Sequence, residues 1–399
     1  MRREALVSVT VKAHGLDGTL VEPDWPPLTD DEVSALLAGF PDLLGPFKVL
    51  SVSPRPLSAG SLVLTRERRV FVKRHARAVR NGEGLREEHR FMAHLRSRGV
   101  GVPWVFENDC GETAIELGEW TYEVHGVPEG IDAYEDAISW TPFRCAEHAR
   151  AAGMAMARLH DAARGFDAPA RGGRALIAGF TIFVGADPRA EFDRYVEARP
   201  ALRRYLAQRN CADEALELLA PFHAELLPLL PSLEPLWTHN DFHPSNLFWS
   251  DAGRGADVTA VIDFGLCDRT NAVHDIAHAI ERSIVEWLVL VNDPGHAENV
   301  PVHFDHLWAL LDGHERVRPL SDIEARALAP MLALCHAEFA LSETDYFLSV
   351  LHSEEKAWFA CEGYLVLHAR WWCGEGARLL DALRLWAESR EGNVGVVRH

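Results

Sequence analysis

Cysteine is sparse in this chain, with seven residues in 399. They are scattered and odd in number, and no CxxC pair occurs. That excludes a zinc knuckle and a dithiol redox motif and leaves reduced, structural thiols as the expectation. Long hydrophobic runs are missing too. No stretch approaches the roughly 18 uninterrupted apolar residues of a membrane span. The opening MRREALVSVTVKAHG has a basic start but no long apolar core, so no secretory signal is expected and the location expected is cytoplasmic. Positive charge is in short supply: 40 Lys and Arg stand against 59 Asp and Glu, for a net charge of -19 and a pI near 5.5. Nucleic acid and anionic membrane are therefore excluded as expected partners. The acidic excess favours solubility and is compatible with a cationic substrate. Internal repeats and low-complexity segments are absent.

What remains is an ordinary globular composition, 48% hydrophobic and 25% charged, at a length that suits two lobes with separate cores. Residues 1–45 read as an N-terminal extension, in which Thr29-Asp-Asp-Glu32 forms a capping box for a short helix ending near Gly39. Residues 46–124 alternate in short β-like runs: Val49–Val52, Leu62–Thr65, Arg69–Lys73, Thr113–Ile115 and Trp120–Val124. One helix interrupts them, from Leu85 to Arg98, with Gly99 as its stop. From 125 to 399 the chain is mainly helical, over Phe143–Asp161, Ala190–Gln208, Ala212–Leu230, His274–Leu290 and Ile323–Ser342. A β-hairpin, Asn246–Trp249 and Val258–Ile262, sits among these helices. The fold class expected is α+β, with a small β-rich lobe followed by a large helical one.

The chemistry concentrates in Trp237-Thr-His239-Asn-Asp241-Phe-His243-Pro-Ser-Asn246 and in Val258-Thr-Ala-Val-Ile262-Asp263-Phe264-Gly265. Phosphoryl transfer needs positioning and charge neutralisation more than covalent chemistry. One carboxylate must orient the attacking hydroxyl and accept its proton. Hard oxygen donors must hold magnesium while leaving room for phosphate oxygens and water. Asp241 on a loop, with Asn246 five residues later at the start of a strand and Asp263 at the end of the next, meets those needs.

These two segments resemble the catalytic and metal-binding segments of the aminoglycoside phosphotransferase/choline kinase superfamily, relatives of the protein kinases. The resemblance runs from about Leu50 to Leu290. It implies a bilobal protein kinase-like fold that uses ATP and Mg2+ to phosphorylate a small-molecule hydroxyl acceptor. Asp241 is then the base, Asn246 and Asp263 are the magnesium ligands, and His239 is a structural buttress of the loop. Asp275, in His274-Asp275-Ile-Ala277, braces the loop from the following helix. In the β-rich lobe, Val70-Phe71-Val72-Lys73 carries the lysine that contacts the α/β-phosphates. Glu88 is expected to pair with it, with Glu87 as the competitor one helical step away. Leu57-Ser58-Ala59-Gly60-Ser61 is the expected phosphate-covering loop, with Ser58, Gly60 and Ser61 as nucleotide contacts. Adenine is expected against the backbone near Glu123–Gly126. Ala272–Trp287 also resembles the homoserine-kinase-like branch of the superfamily.

Three other readings compete. Alternating His239, Asp241 and His243, with His274 and His278 four apart, suit a metal-dependent hydrolase, yet that reading leaves Lys73, Asn246 and Asp263 unexplained. A kinase acting on a peptide has little room, because Asp275 follows Gly265 by only ten positions. A non-catalytic nucleotide-binding module would be expected to have lost one of these groups. For the acceptor, Asp268, Glu281, Glu286, Glu343 and Asp345 are acidic candidates in the helical lobe. Trp287, Tyr346, Phe347, Trp371 and Trp372 are candidates for a cation box.

Overall fold

Alternation along Arg69–Ala76 and Trp120–Gly126 gives the central sheet two chemically different faces. In the computed structural model, which describes residues 13–14, 20–172 and 174–394, the chain divides into two compact units. The first comprises Met1–His89 and Trp104–Val127, the second Arg90–Pro103 and Pro128–His399. The first unit is built on a five-stranded antiparallel sheet in the spatial order Lys48–Val52, Ala59–Leu64, Arg69–Ala76, Trp120–Gly126, Ile115–Leu117. Val63, Val70, Val72, Tyr122 and Val124 all lie in one core together with Leu28, Val33, Leu36, Leu37, Phe40 and Leu43. Phe71, Lys73 and His75 alternate with the core residues of their strand, and Lys73 pairs directly with Glu123 and with Gly60.

The short helix Asp30–Leu37 begins with the capping box read from the sequence: Thr29 Oγ1 accepts from Glu32 N, and Glu32 accepts from Thr29 N. Glu32 also accepts from Arg74 at 2.6 Å and from the Tyr122 hydroxyl at 3.0 Å. Residues 28–43, set apart in the sequence as part of an extension, thus belong to the core of the first unit. Burying Val33, Leu36 and Leu37 stabilises that junction by about 2 kcal/mol each. The reading of residues 1–12 and 15–19 as an extension lies outside the described residues.

The second unit is helical around two small antiparallel ribbons. Leu247–Trp249 pairs with Val258–Val261, the hairpin legible in the sequence. Pro235–Thr238 pairs with Asp268–Asn271, and this ribbon was not legible, because Asp-Arg-Thr-Asn shows no apolar alternation. Three long helical readings break, among them His274–Leu290, which becomes Ala272–Ile284 and Trp287–Asn292. Ala190–Gln208 becomes Pro188–Glu197 and Pro200–Leu206, since Pro200 lacks an amide proton and disfavours helical geometry at Arg199. Ile323–Ser342 becomes Asp322–Leu334 and His336–Ser349. The helices Ala146–Ala163 and Phe304–Val317 meet through two glycines. A methyl at Gly153 would fall on the Leu310 carbonyl oxygen, and one at Gly313 on that of Arg150.

The thiols differ from expectation at one place. Cys211 and Cys361 are joined in a disulfide with 6.4 Å between Cα atoms, while Cys110, Cys145, Cys267, Cys335 and Cys373 are free. Partners 150 positions apart leave no spacing signal in a sequence. Among the described residues no helix is long and apolar enough to cross a membrane.

Candidate active site

Trp237 brings the chain into the site. Its ring lies against Phe91 and Phe166, and its Nε1 donates to the Ala168 carbonyl at 2.8 Å. Beyond Thr238 the backbone turns at Asn240, whose φ of 59° is left-handed. Asp263, at the end of the hairpin, also has φ 59°. Asn and Asp tolerate this region better than other side chains, at a cost the surroundings must hold in place. One departure lies beside Asp241 and the other at Asp263 itself.

His239 explains how the two segments are locked. Its Nδ1 accepts from Asp241 N at 3.2 Å, so its Nε2 carries the proton and donates to the Ile262 carbonyl at 2.9 Å. Both ring nitrogens are spent on backbone, which ties the loop to the hairpin and leaves the ring no atom for a metal. Asp275 braces from below. Its Oδ1 accepts from Asn240 N at 2.7 Å, and its Oδ2 accepts from His239 N at 3.1 Å and from His160 Nε2 at 3.0 Å. Burial alone would raise its pKa, but these hydrogen bonds and the neighbouring imidazoles hold it down at about 2. His160 is itself seated against His314, 3.2 Å away.

Asp241 is less enclosed, with 17% of its side chain exposed. Asn246 Nδ2 donates to its main-chain oxygen at 2.9 Å and to Oδ2 at 3.0 Å. Arg282 Nη1 donates to Oδ1 and, at 2.7 Å, to the Asn240 carbonyl. Burial works to raise the Asp241 pKa, yet the Arg282 guanidinium and His243 hold it well below the usual carboxylate range. Arg282 was not singled out in the sequence. A signal was there: His274, Asp275, His278, Glu281 and Arg282 recur at one helical face, on a helix, Ala272–Ile284, that is buried along its whole length.

Because Nδ2 of Asn246 faces Asp241, its Oδ1 accepts no hydrogen bond among the described residues. Ile262 N donates to the Asn246 carbonyl at 2.9 Å, which places Asp263 one residue from that joint. An amide oxygen and a carboxylate are donors suited to a hard divalent cation. The second unit therefore brings Asp241, Asn246, His239 and Asp275 together as read, with Asp263 at the adjoining strand end.

In the first unit Lys73 lies in Arg69–Ala76. Gly60 pairs with it across the strands, and a methyl there would meet the Phe71 ring. Ser58 lies in the bend before the strand. Gly60 and Ser61 are inside Ala59–Leu64 rather than in a loop. Ser61 pairs with Val72, on the core face away from Lys73, and its hydroxyl is buried without a partner among the described residues. The expected loop is thus shorter than read, because strand pairing already begins at Ala59. Glu88 is buried, and Arg80 Nε lies 3.1 Å from its Oε1; this arginine was not foreseen.

The acidic candidates for the acceptor sort by their partners. Asp268 Oδ1 accepts the backbone amides of Arg171 and Arg269 at 2.8 and 2.7 Å. Glu281 accepts from the Tyr364 hydroxyl at 3.0 Å, and Glu286 lies 2.7 Å from His303. Asp345 and Glu343 are buried. Burial pushes the pKa of Glu343 up to about 7 against the opposing pull of Arg282. Trp287, Trp371 and Trp372 pack on one another and, for Trp287, on His368 with 3.6 Å between ring centres. They form core, not a box.

A family model described as "Phosphotransferase enzyme family" matches residues 58–320. Among curated proteins, the homoserine kinase of Rhodopseudomonas palustris strain TIE-1 is 28% identical over 243 residues, 61% of this chain and 62% of that protein. The chain thus spans less than two thirds of that relative's length. The homoserine kinase of Phenylobacterium zucineum is 28% identical over 328 residues, 82% of this chain and 85% of the other. Among solved structures, a microcompartment-associated aminopropanol kinase superposes with a TM-score of 0.56 at 18% identity, covering 88% of this chain and 98% of its own. An aminoglycoside phosphotransferase from Alicyclobacillus acidocaldarius does so with a TM-score of 0.51 at 17% identity, covering 92% and 98%.

Proposed function

Because the chain belongs to the phosphotransferase enzyme family, we propose that it transfers the γ-phosphate of ATP directly to a hydroxyl of a small molecule, without a phospho-enzyme. The observation that carries this reading is the Asp241 carboxylate, fixed by Arg282 and Asn246 while a sixth of its side chain stays exposed. A carboxylate held this acidic does not take a proton early. It orients the acceptor hydroxyl by accepting its hydrogen bond, then takes the proton as the bond to phosphorus forms. That timing suits the loose transition state of phosphoryl transfer. Asn246 Oδ1 and Asp263 are the residues to hold Mg2+, which supplies charge neutralisation at the phosphates when bound. Lys73 is the nucleotide's cationic contact. His239 and Asp275 act through the loop and touch no reacting atom.

The homoserine kinase relatives favour a hydroxylated amino acid as acceptor, with amino alcohols and amino-sugars as the other members of the class. The proposed setting is the cytoplasm. Magnesium-dependent ATP consumption across a panel of hydroxy amino acids, amino alcohols and aminoglycosides tests the reading, with Asp241→Asn as the blank. An acceptor-dependent signal that disappears in the variant supports it. Absence of any Mg-ATP binding overturns it.

A further inference from the structure

The first unit holds a second constellation that phosphoryl transfer does not use. Glu123 pairs with Lys73 across neighbouring strands, and His125 and His75 follow two residues along their own strands, on the same face. His89 comes to that face from the helix Gly82–Ser97. Its Nε2 lies 2.7 Å from Glu123 Oε2, and His125 Nε2 lies 2.9 Å from the same oxygen. The ligand atoms of His89, Glu123 and His125 are all within 4.8 Å of one another. Side-chain exposure is 5%, 4% and 16%, respectively.

The surrounding contacts are those of a ligand set. His89 Nδ1 lies 2.8 Å from Thr113 Oγ1, a partner that fixes the ring and lets Nε2 present its lone pair. The second carboxylate oxygen, Oε1, is held by His75 Nε2 at 2.8 Å. Two imidazoles and one carboxylate oxygen therefore converge, His89 and Glu123 each with an outer partner, and the partly exposed side at His125 leaves a coordination position for solvent. Two nitrogens and one oxygen favour borderline ions, Zn2+, Co2+ or Ni2+, over Mg2+.

We propose that His89, His125 and Glu123 form a binding site for a divalent transition metal, with Thr113 and His75 as its outer partners. The ion joins the helix Gly82–Ser97 to the strand pair that carries Lys73. This is a different site from the Mg2+ position at Asn246 and Asp263, and its test does not depend on turnover.

The full chain, stripped with chelator, is titrated with Co2+ and followed by visible absorption, with Zn2+ stoichiometry measured by mass spectrometry after buffer exchange. Thermal unfolding is recorded with and without Zn2+. One equivalent is expected to bind without the near-ultraviolet charge transfer of a cobalt thiolate, which separates it from binding at Cys110 or Cys373. Affinity should fall at least 10-fold in His89→Gln and in Glu123→Gln. His125→Gln, at the partly exposed side, guards against failed folding. Its metal-free melting should match the wild type, while the Zn2+-induced rise in Tm disappears. An equivalent that persists unchanged in a folded His125→Gln overturns the site, as does no stoichiometric binding by the wild type; the knot is then held by hydrogen bonds alone.

Discussion

Two aspartates at the loop from His239 to Asn246 are held differently, although both meet the helix Ala272–Ile284. Asp275, on that helix, is fully buried and its oxygens are taken by two backbone amides and one imidazole. Asp241, in the loop, is partly exposed, faces the Arg282 guanidinium of the same helix, and sits beside an amide oxygen that accepts no hydrogen bond among the described residues. Both are aspartates with pKa values held low. The difference is in what holds them. Backbone amides fix a shape, whereas side-chain partners and an open edge leave room for a reacting partner. A buried carboxylate with backbone partners suits a scaffold, and one with side-chain partners and solvent access suits the role proposed for Asp241.

The sharpest way to break this division is to remove each carboxylate in turn. Asp241→Asn should lower turnover by about 10^3-fold while leaving ATP affinity nearly unchanged, because the amide oxygen still accepts from Arg282. Equal losses in rate and in nucleotide binding, by calorimetry, would contradict the assignment. Asp275→Ala should instead cost about 3 kcal/mol of stability in urea unfolding, since two amides and an imidazole lose their acceptor in the interior. A smaller cost than that of Asp241→Asn would reverse the roles.

Two buried carboxylates, Asp275 and Glu343, predict opposite pH limbs. Asp275, held at about 2 against an unfolded value of 3.8, contributes stability that is present above pH 4 and lost as pH falls toward 2. Glu343, raised from 4.5 to about 7, keeps its proton in the folded state where the unfolded chain has released it. Its contribution is therefore present below pH 4.5 and lost as pH rises through 7, by roughly 3 kcal/mol. Glu343→Gln should flatten the decline in Tm between pH 5 and 8 and leave the acid limb in place; an unchanged decline would move that titration elsewhere.

Smaller effects sharpen the picture. Asp263→Ala should raise the Mg2+ concentration needed for nucleotide binding about 10-fold or more, and unchanged affinity would take Asp263 out of the metal set. Thr29→Ala should cost about 1 kcal/mol, measured on the intact chain. No cost would mean that Asp30–Leu37 adds little to the first unit despite its buried face.

Much of the site was legible because its residues are close in sequence. Asp241, Asn246, His239 and Asp263 lie within 25 positions and are tied by local backbone bonds, so spacing carries their geometry. Asp275 lies one turn into the following helix. Arg282 was missed because the polar face it shares with His274, Asp275, His278 and Glu281 reads as solvated surface, whereas the helix is buried along its whole length. The ribbon Pro235–Thr238 with Asp268–Asn271 has no alternation to read, and the Cys211–Cys361 partners are too far apart to suggest each other. The first unit's sheet was visible through its alternating strands, but the helix Asp30–Leu37 joined it through Glu32, Arg74 and Tyr122, contacts between distant positions.

One consequence follows from the crossing of Ala146–Ala163 and Phe304–Val317. Gly153 and Gly313 set how near those helices come, and His160 and His314, farther along the same pair, touch each other and pass that spacing to Asp275. The tolerance of the loop from His239 to Asn246 is therefore calibrated by two residues with no side chain, well away from it in the chain. In a screen for function, alanine at either glycine should register as a loss as firm as any at the loop, and a search for neutral drift would find the crossing frozen.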